Sequence, residues 1–196
     1  MHMNVQATVI PGHLTEPRKF ALRVEDFIVL QESGALDAFA KSELIDGDIY
    51  TVNAIYRPHA GTLSAINADL VNAIRASGLA LKVYSPVSTK LDDHNLPEPD
   101  LVIATIERDA LVSAQSVRLA VEVSATSLDF DLGKKAQLYA GAGVPEYWVV
   151  DVNGQKIIQM TAPIDGAYSN VSETRFGDRI TSVTIPQIAI DTTYLA

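Results

Sequence analysis

LAVEVSATSLDFDLGKKAQLYAGAGVPEYWVVD, residues Leu119 to Asp151, is the stretch from which the rest of the chain can be placed. It opens on a β-branched run, Leu119-Ala-Val-Glu-Val123, whose alternation predicts a half-buried strand. At a period of two, Glu122 and Ser124 point to one face, Val121 and Val123 to the other. Ser124-Ala-Thr-Ser127 then offers N-capping oxygens, and Leu128 to Ala142 reads as a helix ended by glycines. Glu146-Tyr-Trp-Val-Val-Asp151 follows as a second strand, continuous in apolar character and so expected near the centre of a sheet. This strand–helix–strand order over 117–152 predicts a right-handed crossover.

At 3.6 residues per turn, Leu128, Leu132, Tyr139 and Ala142 share one stripe of the helix, predicted to face the sheet. Lys135 lies within that stripe, and Lys134 is turned well away from it. A lysine on a buried face either meets an anion, Glu122 being the ready candidate, or snorkels with its stem over apolar surface.

The chain has 196 residues, enough for one domain with a substantial core, which we place at 21–196 behind a loose lead-in at 1–20. No stretch reaches the about 18 apolar residues of a membrane span, and the N-terminus has neither the basic region nor the apolar run of a signal peptide. Cysteine is absent, which excludes disulfides and thiolate metal sites and fits a cytoplasmic location. The net charge of −9 argues against an extended basic footprint for nucleic acid, and no basic stripe is visible.

Outward from the central unit, Val24 to Gln31 reads as a short helix and Ala35 to Ser42 as another helical piece. Glu43 to Val52 reads as a hairpin turning at Asp46-Gly47. A long amphipathic helix is expected over His59 to Ala76, with Leu63, Ile66, Leu70, Ala73 and Ile74 on one face, ended by Gly78. Strands are expected at Leu79 to Tyr84, Val87 to Leu91 and Leu101 to Ala104, with Glu107 to Ser116 as a linker. Asn153-Gly154 predicts a type I′ hairpin between Trp148–Val152 and Lys156–Met160, and short strands and turns complete the chain. The order implies an α/β or α+β fold, a mixed sheet flanked by helices, with additional hairpins.

If the strands after Pro99-Asp100 and through Glu122 are neighbours, two carboxylates and a lysine converge at one end of the sheet. Hard oxygens of this kind suit Mg²⁺ or Mn²⁺, which polarises a phosphoryl oxygen and acidifies a bound water. Lys135 would then orient that water or neutralise developing charge.

These residues resemble the PD-(D/E)XK nuclease superfamily. More closely, Glu43-Leu-Ile-Asp-Gly47, Pro99-Asp100, Glu122-Val-Ser124, the Asp131/Lys135/Tyr139 spacing and Gly143-Val-Pro-Glu-Tyr-Trp-Val-Val-Asp151 are similar to the Uma2 family, over about Val24 to Ile190. The resemblance implies a restriction-endonuclease-like core and an Mg²⁺- or Mn²⁺-dependent endonuclease acting on DNA. It implies Asp100, Glu122 and the backbone carbonyl of Val123 as metal ligands. The superfamily's lysine usually stands two residues after the glutamate. Ser124 stands there, and the lysine has moved to the helix as Lys135. Ala125 replaces a common proline, a change in the loop and not in the ligands. Glu43 matches an acidic residue that either completes the site or shapes its hairpin, and His59 matches a histidine that serves as a base or as a helix cap. Asp131 is read as serving the first turn of its helix, Tyr139 and Trp148 as core, and Glu98 as standing just behind the ligands. A homodimer is compatible with this reading. Two other functions fit the residues: a nuclease fold retained as a binding module, and a hydrolase of a small phosphate compound, which would tolerate the acidity better.

Overall fold

The computed structural model describes residues 19–52 and 57–195; most of the expected lead-in at 1–20 lies outside them. The strands in chain order are β1 (Lys41–Ile45), β2 (Asp48–Val52), β3 (Leu81–Tyr84), β4 (Thr89–Lys90), β5 (Leu101–Thr105), β6 (Val112–Ser113), β7 (Val117–Ser124), β8 (Glu146–Asp151), β9 (Lys156–Ile164), β10 (Ala167–Arg175), β11 (Arg179–Thr181) and β12 (Ala189–Asp191). The helices are α1 (Val24–Glu32), α2 (Arg57–Ser77) and α3, residues 128–141. A six-stranded mixed sheet of order β10-β9-β8-β7-β5-β3 forms the centre, as a restriction-endonuclease-like core requires. Only β7 and β8 run parallel in it, the pair that α3 connects, and the other neighbours are antiparallel.

Alternation along the central strands builds two apolar layers. Leu101, Ile103, Leu119, Val121, Val123, Trp148 and Val150 face α2, whose Ile66, Leu70 and Ile74 meet them, with Ile180, Ile185, Ile188 and Ile190 closing the layer. Val102, Ala120, Tyr147 and Val149 face the other way, onto Ala136 and Tyr139 of α3. The α2 face is the one its periodicity predicts. A third, smaller cluster seats Val24 and Phe27 of α1 on Leu44 and Leu96. No helix among the described residues is long and apolar enough to cross a membrane.

Three local expectations change. The chain over 35–40 turns without forming a helix, and Lys41-Ser42 extends the hairpin instead, pairing with Val52 and Thr51. Pairing of backbone groups across β1 and β2 outweighs the weak helical pattern there. The β8–β9 connection is a four-residue loop closed by Asp151↔Lys156, not a type I′ turn at Asn153-Gly154. Asp151 Oδ1 accepts the Gly154 N–H at 2.8 Å, and the left-handed residue is Gln155 at φ 51°. A Cβ at Gly154 would lie 2.2 Å from Asp151 Oδ2, so this glycine is needed for close approach rather than for its φ. The linker expected over Glu107 to Ser116 contains β6, which pairs in parallel with β4. By contrast, Asp46 and Gly47 do form a two-residue turn with φ of 50° and 75°, as the Asp-Gly pair demands.

Candidate active site

The register of the sheet assembles the site. β5 and β7 are antiparallel with Leu101 opposite Val121, so extending that register by one residue sets Asp100 opposite Glu122. Residues opposite each other share a face, which brings two acids from distant positions side by side. The backbone N–H of Val123 donates to Asp100 Oδ2 at 2.8 Å, locking the carboxylate onto the end of β7.

Helix α3 then crosses the same end of the sheet. It is continuous but contains a π turn, Asp131–Lys135, between the segments Leu128–Phe130 and Ala136–Gly141. The Ala136 N–H reaches back five residues to the Asp131 carbonyl, which also accepts the Tyr147 hydroxyl at 3.0 Å. A π turn takes in one extra residue, so the residues before it are rotated by roughly the 100° of one α-helical step relative to those after it. Hence the predicted stripe holds for Tyr139 but fails for Leu132, which is 37% exposed, and Asp131 is buried in its stead. Asp131 therefore does more than serve the first turn: its carboxylate accepts from Ser127 Oγ at 2.6 Å and lines the cavity described below.

Lys135 lies on the buried side, 4% exposed, with Nζ 2.8 Å from Glu122 Oε1 and 3.0 Å from Glu43 Oε1. It is paired, not snorkelling. Lys134 instead binds Asp46 at the hairpin tip. Tyr139, in the core as expected, donates its hydroxyl to the same Glu122 oxygen at 3.0 Å. Glu43 also accepts the Glu98 N–H at 2.7 Å, so it joins the hairpin, α3 and the loop before β5. His59 falls inside the first turn of α2 rather than capping it, and its Nε2 is 3.2 Å from Asp100 Oδ2. Its Nδ1 is buried without a hydrogen-bond partner among the described residues.

One charged residue escaped the sequence reading. Lys41 lies 3.6 Å from Asp100 Oδ1 and 3.8 Å from Glu43 Oε1. Its signal was the i, i+2 spacing to Glu43, which only matters once 41–45 is a strand. Lys41, Glu43, His59, Asp100, Glu122, Asp131 and Lys135 line one cavity of about 240 Å³, which Tyr50 and Phe130 also line.

Burial and like charge set the protonation here. Burial pushes the Glu122 carboxyl up, with Asp100 and Glu43 adding to the rise, and the two lysines only partly oppose it; the result is about 8. Burial also opposes the charge on Lys135, but Glu122, Glu43 and Asp131 outweigh it and hold the ammonium above its usual range. Lys41 is raised for the same reason, against its burial, by Glu122 and Glu43. Asp100 moves the opposite way. Burial alone would raise it, but the His59 hydrogen bond, Lys41 and the Val123 N–H keep it below the ordinary range.

Fit to a divalent cation can be judged from the donors. Glu122 Oε1 is taken by Lys135 and Tyr139, and no described residue hydrogen-bonds Oε2. Asp100 Oδ2 is taken by Val123 and His59, whereas among the described residues Oδ1 has only Lys41, at 3.6 Å. Each acid thus keeps one hard oxygen outside the hydrogen-bond network, the donor chemistry Mg²⁺ or Mn²⁺ uses with water completing its shell. Among the described residues no group of three or more His, Asp or Glu side chains is placed to hold a metal ion, so the protein donors would be at most these two carboxylates and a backbone carbonyl.

A six-stranded mixed sheet of this order, flanked by helices, defines a restriction-endonuclease-like fold. The chain belongs to the Uma2 family, whose model, described as "Putative restriction endonuclease", matches residues 24–193. Among solved structures it is similar to one titled as a putative nuclease belonging to DUF820 from Anabaena variabilis ATCC 29413. The two are 13% identical with a TM-score of 0.67, over 89% of this chain and 97% of that one, a likeness of fold. Among curated proteins nothing matches the chain.

Proposed function

We propose that this protein is a metal-dependent endonuclease that hydrolyses phosphodiester bonds in DNA. The observation that carries the reading is the arrival of Lys135, from a separate helix, at 2.8 Å from Glu122 in the cavity that also holds Asp100. A buried ammonium held against the acids Glu122 and Glu43 is a costly way to stabilise a fold, and it prepares a site for a cation and a phosphate.

Asp100 and Glu122, with the carbonyl of Val123, would hold one Mg²⁺ or Mn²⁺. When bound, the cation polarises the phosphoryl oxygen and acidifies the attacking water. The residues of the chain do the rest. Lys135 faces the phosphoryl oxygens as their charge grows. Tyr139 orients Glu122 through its shared oxygen. His59 and the Val123 N–H hold Asp100 by Oδ2, which leaves Oδ1 as the oxygen that would bind the ion. Lys41 offers a second positive charge to the phosphate, and Glu43 holds both lysines in place.

Paired measurements test this: calorimetric Mn²⁺ binding and nicking of supercoiled DNA at low salt. Glu122→Ala should lose both. Lys135→Ala should bind Mn²⁺ as well as the parent or better, because a competing charge is gone, yet cut about 100-fold more slowly or less. Parent protein that binds Mn²⁺ and cuts no DNA would reject the endonuclease in favour of a binding module. Cleavage surviving Glu122→Ala would exclude this site as its source.

A further inference from the structure

Two aromatic rings that the catalytic reading does not use line the same cavity. Tyr50 of β2 lies directly opposite Glu43 in the hairpin, so both project from the same face. Its ring meets Phe130, from the first turn of α3, with centroids 5.1 Å apart and planes tilted by 36°. Both line the cavity that contains Asp100, Glu122 and Lys135, and Tyr50 remains 40% exposed. A large ring left in water beside a phosphate-type site is a surface for another flat ring.

The charges nearby narrow what that ring is. Tracking the backbones of a duplex takes free cations, and the protein carries a net charge of −9. Several surface cations are already paired: Lys134 with Asp46, Lys19 with Asp48, and Arg23 and Lys90 with Glu25 and Asp93. Stacking offers affinity without them, and it requires a base whose face is not already covered by its neighbours in a duplex.

Resting on the nuclease reading of the site, we propose that Tyr50 and Phe130 form a stacking platform for one unpaired nucleobase. The preferred substrate is then DNA whose scissile phosphate adjoins an unstacked nucleotide: a single strand, a flap or a bulge.

The test reads binding apart from cleavage. A single-stranded oligonucleotide containing 2-aminopurine, and its duplex, are titrated at low salt with Ca²⁺ replacing Mn²⁺. The parent protein should quench the single strand and bind it at least about tenfold more tightly than the duplex. Tyr50→Leu should weaken that binding about tenfold, and Tyr50→Phe should retain it. An abasic residue in place of the 2-aminopurine, scored by competition against the parent protein, should cost the same factor, so the outcome does not depend on the folding of a variant. Equal binding of single strand and duplex, or indifference to both Tyr50→Leu and the abasic residue, overturns the platform even if DNA is cut. Quenching that depends on Tyr50 without any cleavage keeps the platform and removes the nuclease.

Discussion

In the proposed function Glu122 is the residue on which the chemistry turns, because a metal ligand must be ionised and this carboxyl is held up to about 8. Near neutral pH the folded protein therefore retains a proton on Glu122 that the unfolded chain, at its ordinary 4.5, has released. The sign follows: between those values the folded state binds more protons, so this group's contribution to stability falls as the pH rises. A cation must displace the same proton. We expect Mn²⁺ binding near pH 6.5 to release about one proton, with affinity falling about tenfold per pH unit below about 8. Calorimetry in buffers of different ionisation enthalpy measures it, and an affinity flat from about pH 6 to 8 would show that Glu122 is not displaced.

Elements carry the same logic one level up. The hairpin β1–β2 can bring Lys41, Glu43 and Tyr50 to the site only because it turns within two residues. Gly47 also lets residues 19–23 pass close by: a Cβ there would lie 2.7 Å from that of Ala21. At the far end of β8, Glu146 performs a different task. It is fully buried and accepts from Trp148 Nε1, Gln159 Nε2, Ser182 Oγ, the Val183 N–H, and both the N–H and Oγ1 of Thr184. Burial works to raise its carboxyl, but the Ser182 and Thr184 bonds and Gln159 outweigh it and hold it below the ordinary range. It fastens the 182–184 segment to the sheet, and this explains the acid within Gly143-Val-Pro-Glu-Tyr-Trp148 without any catalytic role. Glu146→Ala should cost about 3 kcal/mol at pH 7, since it strands several buried donors. Because the folded carboxyl is depressed, that contribution is present above 4.5 and is lost as the pH falls through the folded value. Urea unfolding of parent and variant at pH 7 and in acid checks both statements: the gap between them should narrow in acid.

For the whole molecule, the consequence is that the site exists only in the folded chain. Asp100 precedes β5, Glu122 is in β7, Lys135 in α3, Glu43 in β1 and His59 in α2, so nothing resembling it survives unfolding. A cation bound there stabilises by mass action, about 2.7 kcal/mol at a free concentration 100 times its Kd. For a chain of this length that is a rise in Tm of about 5–10 °C. Thermal unfolding with and without Mn²⁺ should show it for the parent, and Glu122→Ala should show none. An equal rise in both proteins would mean that Mn²⁺ binds elsewhere.

The sequence by itself determined the central unit: alternation placed β7, apolar continuity placed β8, and glycines bounded α3. It also singled out residues that the fold gathers in one cavity, since an acid before one strand, an acid within another and a lysine on a helical face are local patterns. The family's motifs were legible for the same reason. The tertiary structure alone decided how these residues meet. That Asp131 rather than Leu132 is buried toward the cavity depends on a π turn, which adds a residue to the helix. Lys41 became part of the site only when cross-strand pairing made a strand of residues that read locally as a helix. β10 is long yet mostly exposed, so its polar sequence lacked the apolar alternation by which strands are recognised. Periodicity reports which face of an element is buried against its own neighbours. Register, a π turn and the docking of a hairpin are settled by contacts between elements far apart in the chain, and only the folded molecule contains them.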